Sequence, residues 1–76
     1  MLAKRIYIVG IGGIGLSALA QLLRAGGCDV SGSDRGDSPT TELLRQKGIE
    51  VFVGHDAAHI PQGTELLIYS DAIPAH

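Results

Sequence analysis

Gly10, Gly12, Gly13 and Gly15 stand within six residues, directly after the apolar run Ile6-Tyr7-Ile8-Val9. Gly10, Gly12 and Gly15 fit the spacing G-x-G-x-x-G, and Gly13 adds a fourth glycine. Each position has a mechanical use in that pattern. The first allows a tight turn, the second lets backbone approach a phosphate, and the third lets the following helix pack closely on the strand. The first amides of that helix have no partner within it and sit at the positive end of its dipole, so they suit an anion. The chemistry this predicts is the grip of a nucleotide diphosphate by main chain. The alternative is a plain strand-to-helix turn, but four clustered glycines carry a backbone entropy cost that such a turn does not require.

Further polar residues fall where they could complete such a site. Asp34 lies about 20 positions after Gly15, at the end of the second predicted strand, where a carboxylate accepts hydrogen bonds from ribose hydroxyls. It equally suits the turn ahead of Arg35-Gly36. Ser17 sits in the first turn of the helix, where its hydroxyl either donates to a phosphate or bonds locally to backbone. His55 follows Gly54 at the end of the third strand and could meet a base, although a solvated loop histidine is the plainer reading. His55 and His59 are four residues apart but supply two ligands where zinc needs three or four, so no metal site is expected. A G-x-x-x-x-G-K-[ST] phosphate loop is missing, as is any pairing of nucleophile and base. The chain is therefore expected to bind and not to catalyse alone.

The elements that must position these residues follow from periodicity. Residues 5–10 read as a buried strand. Residues 13–25 read as a helix, with Leu16, Leu19, Ala20 and Leu23 at i, i+3, i+4, i+7 spacing and Ala18, Leu22 and Ala25 widening the stripe. Gly26-Gly27 ends it. A strand follows over 29–33, closed by Asp34. Arg35-Gly36-Asp37 matches a cell-adhesion tripeptide, but three residues recur by chance and it is read as turn. Ser38 is placed as an N-cap and Pro39 at the first position of a second helix, which runs to Lys47 and stops at Gly48. Residues 49–53 form a third strand. Residues 54–64 are irregular with a helical turn near Asp56 to His59, and 65–70 form a fourth strand.

This alternation predicts an α/β, Rossmann-like domain over residues 1–76. Its parallel sheet has about four strands in the order 3-2-1-4, joined by right-handed crossovers. Ligands bind beyond the carboxyl ends of such strands, at the point where the order reverses. Gly10 to Gly15, Ser33-Asp34, Gly54-His55 and Ser70-Asp71 all fall on that rim.

Composition narrows the classes. The chain has 76 residues, 45% hydrophobic and 18% charged, with 4% aromatic, which suits one small aliphatic-cored domain. The net charge of −2 offers no basic stripe, so nucleic acid is not an expected partner and an anion would be held by backbone dipoles. No apolar run reaches the length of a membrane span. The single cysteine, Cys28, forms no internal disulfide and reads as a small, half-buried strand residue, which fits a reducing, cytoplasmic setting.

Four segments together carry a family resemblance. They are Val9-Gly10-Ile11-Gly12-Gly13-Ile14-Gly15-Leu16-Ser17, Val30-Ser31-Gly32-Ser33-Asp34, Gly48 with Val53-Gly54-His55, and Tyr69-Ser70-Asp71-Ala72-Ile73-Pro74. In this order they resemble the N-terminus of the Mur ligases of peptidoglycan synthesis, over essentially the whole chain. The resemblance implies a domain that holds the UDP part of UDP-N-acetylmuramate. Gly10, Gly12, Gly13, Ile14, Gly15 and Ser17 would lie at the diphosphate, and Ser33, Asp34, His55 and Ser70 near the uridine and ribose. Asp71, Ala72, Ile73 and Pro74 would form a rim loop, with Asp71 standing where the family pattern has a small neutral residue. It implies no cofactor on this segment. ATP and magnesium would belong to further ligase domains, which would be its partners. Two other readings remain on the residues alone. One is an NAD-binding module, which the glycines and Asp34 would serve equally well. The other is a fold that binds nothing and self-associates through its sheet edge.

Overall fold

The structure, a computed structural model, describes residues 4–70. Its elements in chain order are β1 (Arg5–Val9), α1 (Ile14–Ala25), β2 (Asp29–Asp34), α2 (Pro39–Gln46), β3 (Glu50–Val53), a single 3-10 turn (Ala57–His59) and β4 (Leu66–Tyr69). The strands form one parallel sheet in the order β3-β2-β1-β4, as the alternation predicts. Boundaries differ from expectation by a residue at several ends. Gly10, at φ +78°, belongs to the turn and not to β1, and Gly13 is the N-cap of α1 rather than its first residue.

Alternation along the strands sorts the side chains into two faces. Ile6, Ile8, Val30 and Val51 point to the helical face and form the core with Ile11, Ala20, Cys28, Leu44 and Ile49. Leu16, Leu23 and Ile68 pack against it. Cys28 is thus buried, just ahead of β2, rather than half-buried within a strand. The stripe of α1 is narrower than its composition suggests: Ala18 and Ala25 are exposed, as is Leu22 at 71%. The buried residues of α1 are Ser17 and Ala20.

Tyr7, Ser31 and Ser33 alternate to the opposite face, and all three are buried. Among the described residues neither α-helix lies there. The segment between β3 and β4 returns across that face and is pinned at several points. His55 Nδ1 and Ser33 Oγ are hydrogen-bonded at 2.8 Å. The His59 ring stacks on Phe52 at 4.6 Å between centroids, and its Nδ1 donates to the Gly54 carbonyl at 3.1 Å. Arg5 donates to the Gln62 carbonyl at 2.6 Å. β4 forms one edge of the sheet, with Leu66, Leu67 and Tyr69 roughly half exposed or more.

Packing in the sheet leaves no room for a side chain at Gly32. A Cβ on this residue would run into the Ile8 carbonyl and sit 2.8 Å from Ile11 Cδ1. Ile11, the first residue after Gly10, is fully buried against it. This is how the β1–α1 turn is anchored on the sheet: its apolar residue folds down over a strand that has given up its side chain.

Candidate functional site

The turn from β1 into α1 is tied to the end of β2 by main chain. The amides of Gly10 and Ile11 both donate to the Ser33 carbonyl, at 2.8 and 3.0 Å, and the Gly13 amide donates to the Gly10 carbonyl at 3.0 Å. Asp34 adds a side-chain tie. Its Oδ2 accepts from the Gly12 amide at 2.7 Å, and its Oδ1 accepts from the Arg35 amide at 2.8 Å. The carboxylate therefore lies folded on the glycine turn. A Cβ at Gly12 would stand 2.6 Å from Asp34 Oδ2 and 3.2 Å from Thr41 Cγ2. The second glycine of the pattern thus makes room for an acid and for α2, within the protein itself.

The third glycine is used differently from expectation. A Cβ at Gly15 would meet nothing within 4 Å, so this residue does not serve close packing of helix on strand. The first intrahelical bond of α1 is Ser17 N to the Gly13 carbonyl, at 2.7 Å. The preceding amides, of Ile14, Gly15 and Leu16, have no carbonyl one turn back to bond. No side chain caps this end and no acid stands in the first turn. These amides open on a cavity of about 660 Å³, lined by Gly10, Gly12, Gly13, Ile14, Gly15 and Leu16 from the turn and helix. Asp34, Arg35, Gly36, Ser38 and Ser70 complete its wall. That volume is within the roughly 300–1,000 Å³ of small-molecule sites. Ile14 stands at its mouth, 95% exposed.

The structure thus brings Gly10, Gly12, Gly13, Ile14, Gly15, Asp34 and Ser70 to one cavity. Three other predicted residues are placed off its wall. The Ser17 hydroxyl donates to the Ile14 carbonyl at 3.1 Å, the local bond that short hydroxyl side chains make inside helices. Ser33 and His55 bond to each other on the opposite face of the sheet. Asp71, Ala72, Ile73 and Pro74 lie outside the described residues. Among the described residues no three His, Cys, Asp or Glu side chains group to hold a metal.

Arg35, Gly36, Ser38 and Leu16 line the cavity without having been singled out for it. Their signal was positional, since Arg35 and Gly36 directly follow Asp34 at the carboxyl end of β2. The Arg35-Gly36-Asp37 tripeptide is not displayed as a free loop. Asp37 is bound by Arg45 Nη1 at 2.7 Å, and Arg45 Nη2 reaches the Val51 carbonyl at 2.8 Å. The hydrogen bond to Asp37 raises the Arg45 pKa above its ordinary value.

With this geometry in view, comparison with known proteins is decisive at the level of family. Residues 5–76 match the Mur ligase family, catalytic domain. The chain belongs to the Mur ligase family. It is 49% identical over 71 residues to a UDP-N-acetylmuramate–L-alanine ligase of Caldicellulosiruptor saccharolyticus, covering 93% of this chain and 15% of that protein. A ligase of the same name from Methylibium petroleiphilum is 50% identical over 70 residues, covering 92% of this chain and 15% of its own length. Among solved structures, a murein peptide ligase of Psychrobacter arcticus superposes with a TM-score of 0.87 at 32% identity, over 96% of this chain and 15% of that one. The chain therefore spans about 15% of the length of the curated relatives it matches. Among the described residues no helix is long and apolar enough to cross a membrane.

Proposed function

We propose that this Mur ligase segment binds the UDP moiety of UDP-N-acetylmuramate, as the N-terminal part of a cytoplasmic UDP-N-acetylmuramate–L-alanine ligase. The observation that carries the proposal is the uncapped N-terminus of α1, whose first amides open on a cavity walled by glycine. A diphosphate oxygen accepts from such amides and is favoured by the helix dipole. Gly15 supports the reading further, because its missing side chain serves no packing among the described residues and leaves the cavity open. The names of the relatives supply the nucleotide and sugar.

In this proposal Ile14, Gly15 and Leu16 donate main-chain hydrogen bonds to the diphosphate, and Gly10 and Gly13 shape the turn that presents them. Asp34 holds the turn through Gly12 and faces the ribose from the same wall. Ser70 borders the cavity from the β4 side. Ser17, Ser33 and His55 act behind the wall, keeping α1 and the β2 end in place. Amide bond formation would fall to the remaining ligase domains, which would bind ATP and magnesium.

The test is an amide NMR titration of the chain with UDP-N-acetylmuramate, UDP, uridine and NAD. The expected result is shift changes centred on residues 12–16 with UDP and UDP-N-acetylmuramate, weaker ones with uridine, and none specific to NAD. Equal response to NAD would favour a dinucleotide module. Silence at residues 12–16 with every ligand would remove the proposal.

A further inference from the structure

Two charged side chains stand on the cavity wall among the described residues, Asp34 and Arg35, and their bonding differs. The Asp34 carboxylate is held by the amides of Gly12 and Arg35. The Arg35 guanidinium has no hydrogen bond or ion pair to any described residue. The next acid along the chain is Asp37, and that carboxylate is taken by Arg45. Arg35 is thus an exposed cation at the site with no side-chain partner among the described residues.

Charge accounting gives it a use. A nucleotide-sugar diphosphate carries one negative charge on each phosphate. The helix N-terminus offsets about half an elementary charge. The Asp34 carboxylate, pressed on the Gly12 amide, adds a negative charge to the same turn and takes one of its donors. Backbone dipoles alone therefore leave the site short of positive charge, contrary to the expectation from composition. A guanidinium on the wall corrects the balance, and its planar fork matches phosphate oxygens.

We propose that Arg35 is the side-chain counter-charge for the diphosphate, a positioning residue for the nucleotide that this chain carries at the end of β2. This rests on the proposed UDP site. Arg35 binds from the end of β2 on the same cavity, so the diphosphate is held by a helix end and a side chain rather than by main chain alone.

The experiment compares the chain with its Arg35→Gln and Arg35→Lys variants. Affinities for UDP and for uridine are measured by NMR at low salt and at about 0.15 M salt, where surface charges are screened over roughly 8 Å. Arg35 is exposed and unpaired among the described residues, so both variants should keep the amide spectrum of the parent fold. Arg35→Gln should weaken UDP about tenfold at low salt and flatten the salt dependence, leaving uridine unchanged. Arg35→Lys should lose part of that, because it keeps charge without the fork. If the parent chain binds UDP and Arg35→Gln binds it as tightly, with the same salt dependence, Arg35 has no such role and the UDP site stands. An equal loss for uridine would move Arg35 to the nucleoside and overturn the assignment to diphosphate. If the parent chain does not bind UDP, both proposals fall together.

Discussion

The two helices begin in opposite ways. α2 is closed at its N-terminus: Ser38 Oγ accepts from the Thr41 amide at 3.2 Å, and the Ser38 amide donates back to Thr41 Oγ1 at 2.8 Å. Pro39 removes a further orphan donor, and Glu42 stands in the first turn to meet the dipole. α1 has none of these devices. Its cap is Gly13, no side chain bonds its amides, and no acid sits in its first turn. Both helices begin on the cavity wall, one with its first amides met and the other with them unmet. Unmet hydrogen-bonding capacity is costly to a fold, so where it is retained beside a cavity, a ligand is the natural means of meeting it.

The strongest way to break this comparison is to fill the space that α1 leaves. Gly15→Val places a branched side chain where nothing lies within 4 Å. Fold stability should stay within about 0.5 kcal/mol, since valine is no worse than glycine inside a helix. UDP affinity should fall at least about 100-fold, or about 2.7 kcal/mol. Calorimetric titration beside a thermal melt separates the two effects. Near-parent affinity would mean the open helix end is not the site.

Gly12→Ala asks whether the glycines of one motif do different jobs. Its methyl group would collide with Asp34 Oδ2 and crowd Thr41 of the closed helix, neither of which yields freely. Thr41 is buried and holds the cap of α2, while Asp34 is bound at both oxygens. The expected cost is about 1–3 kcal/mol of stability, the range for overpacking, read by urea denaturation. Gly12→Ala should therefore melt the fold where Gly15→Val spares it. Equal melting of both variants would erase the distinction between the second and third glycine.

A milder test closes α1 by imitation of α2. Gly13 has φ −65° and ψ 155°, a conformation open to any residue, so Gly13→Asp requires no strained backbone. Its Cβ would sit 3.3 Å from the Gly10 carbonyl, a contact that needs only slight adjustment. The carboxylate would cap the free amides and act as a built-in anion. Stability should rise by a few tenths of a kcal/mol, the margin of aspartate over glycine at an N-cap. UDP should bind about tenfold more weakly. A variant that gains stability and keeps its affinity would show that the amides are not what the ligand uses.

These contrasts mark what the sequence could and could not convey. The spacing of apolar residues specified the sheet order, since each of β1 to β3 is bounded by glycine and separated by a helix of recognisable period. The glycine cluster located the turn. It did not say what occupies the space each glycine frees: Asp34 at Gly12, Ile11 at Gly32, open cavity at Gly15. A missing side chain is visible in one dimension, but its neighbour is a fact of three. The polar residues divided for the same reason. Ser17, Ser33 and His55 lie near the rim in sequence, yet each has a partner within the fold that only the packing of β2 and the returning segment reveals. Arg35 reads in one dimension as a turn residue, and its lack of a side-chain partner among the described residues is a fact of the packed structure.

The smallest expected effect tests whether closure of α2 comes from its cap or from its charges. Ser38→Ala removes the acceptor for the Thr41 amide but leaves Thr41 Oγ1 to hold the Ser38 amide. The cost should be about 1 kcal/mol, or about 4–8 °C in Tm for a domain of this size. Opening that end should still not make it a phosphate site, because Glu42 and Asp37 beside it outnumber Arg45, which pairs with both, and leave a net negative charge. Inorganic phosphate added during the melt of Ser38→Ala should restore none of the lost stability. Restoration would mean that a freed helix end is sufficient for anion binding. The glycine wall and the absence of acid in its first turn would then be incidental to α1, and the contrast between the two helices would reduce to one hydroxyl group.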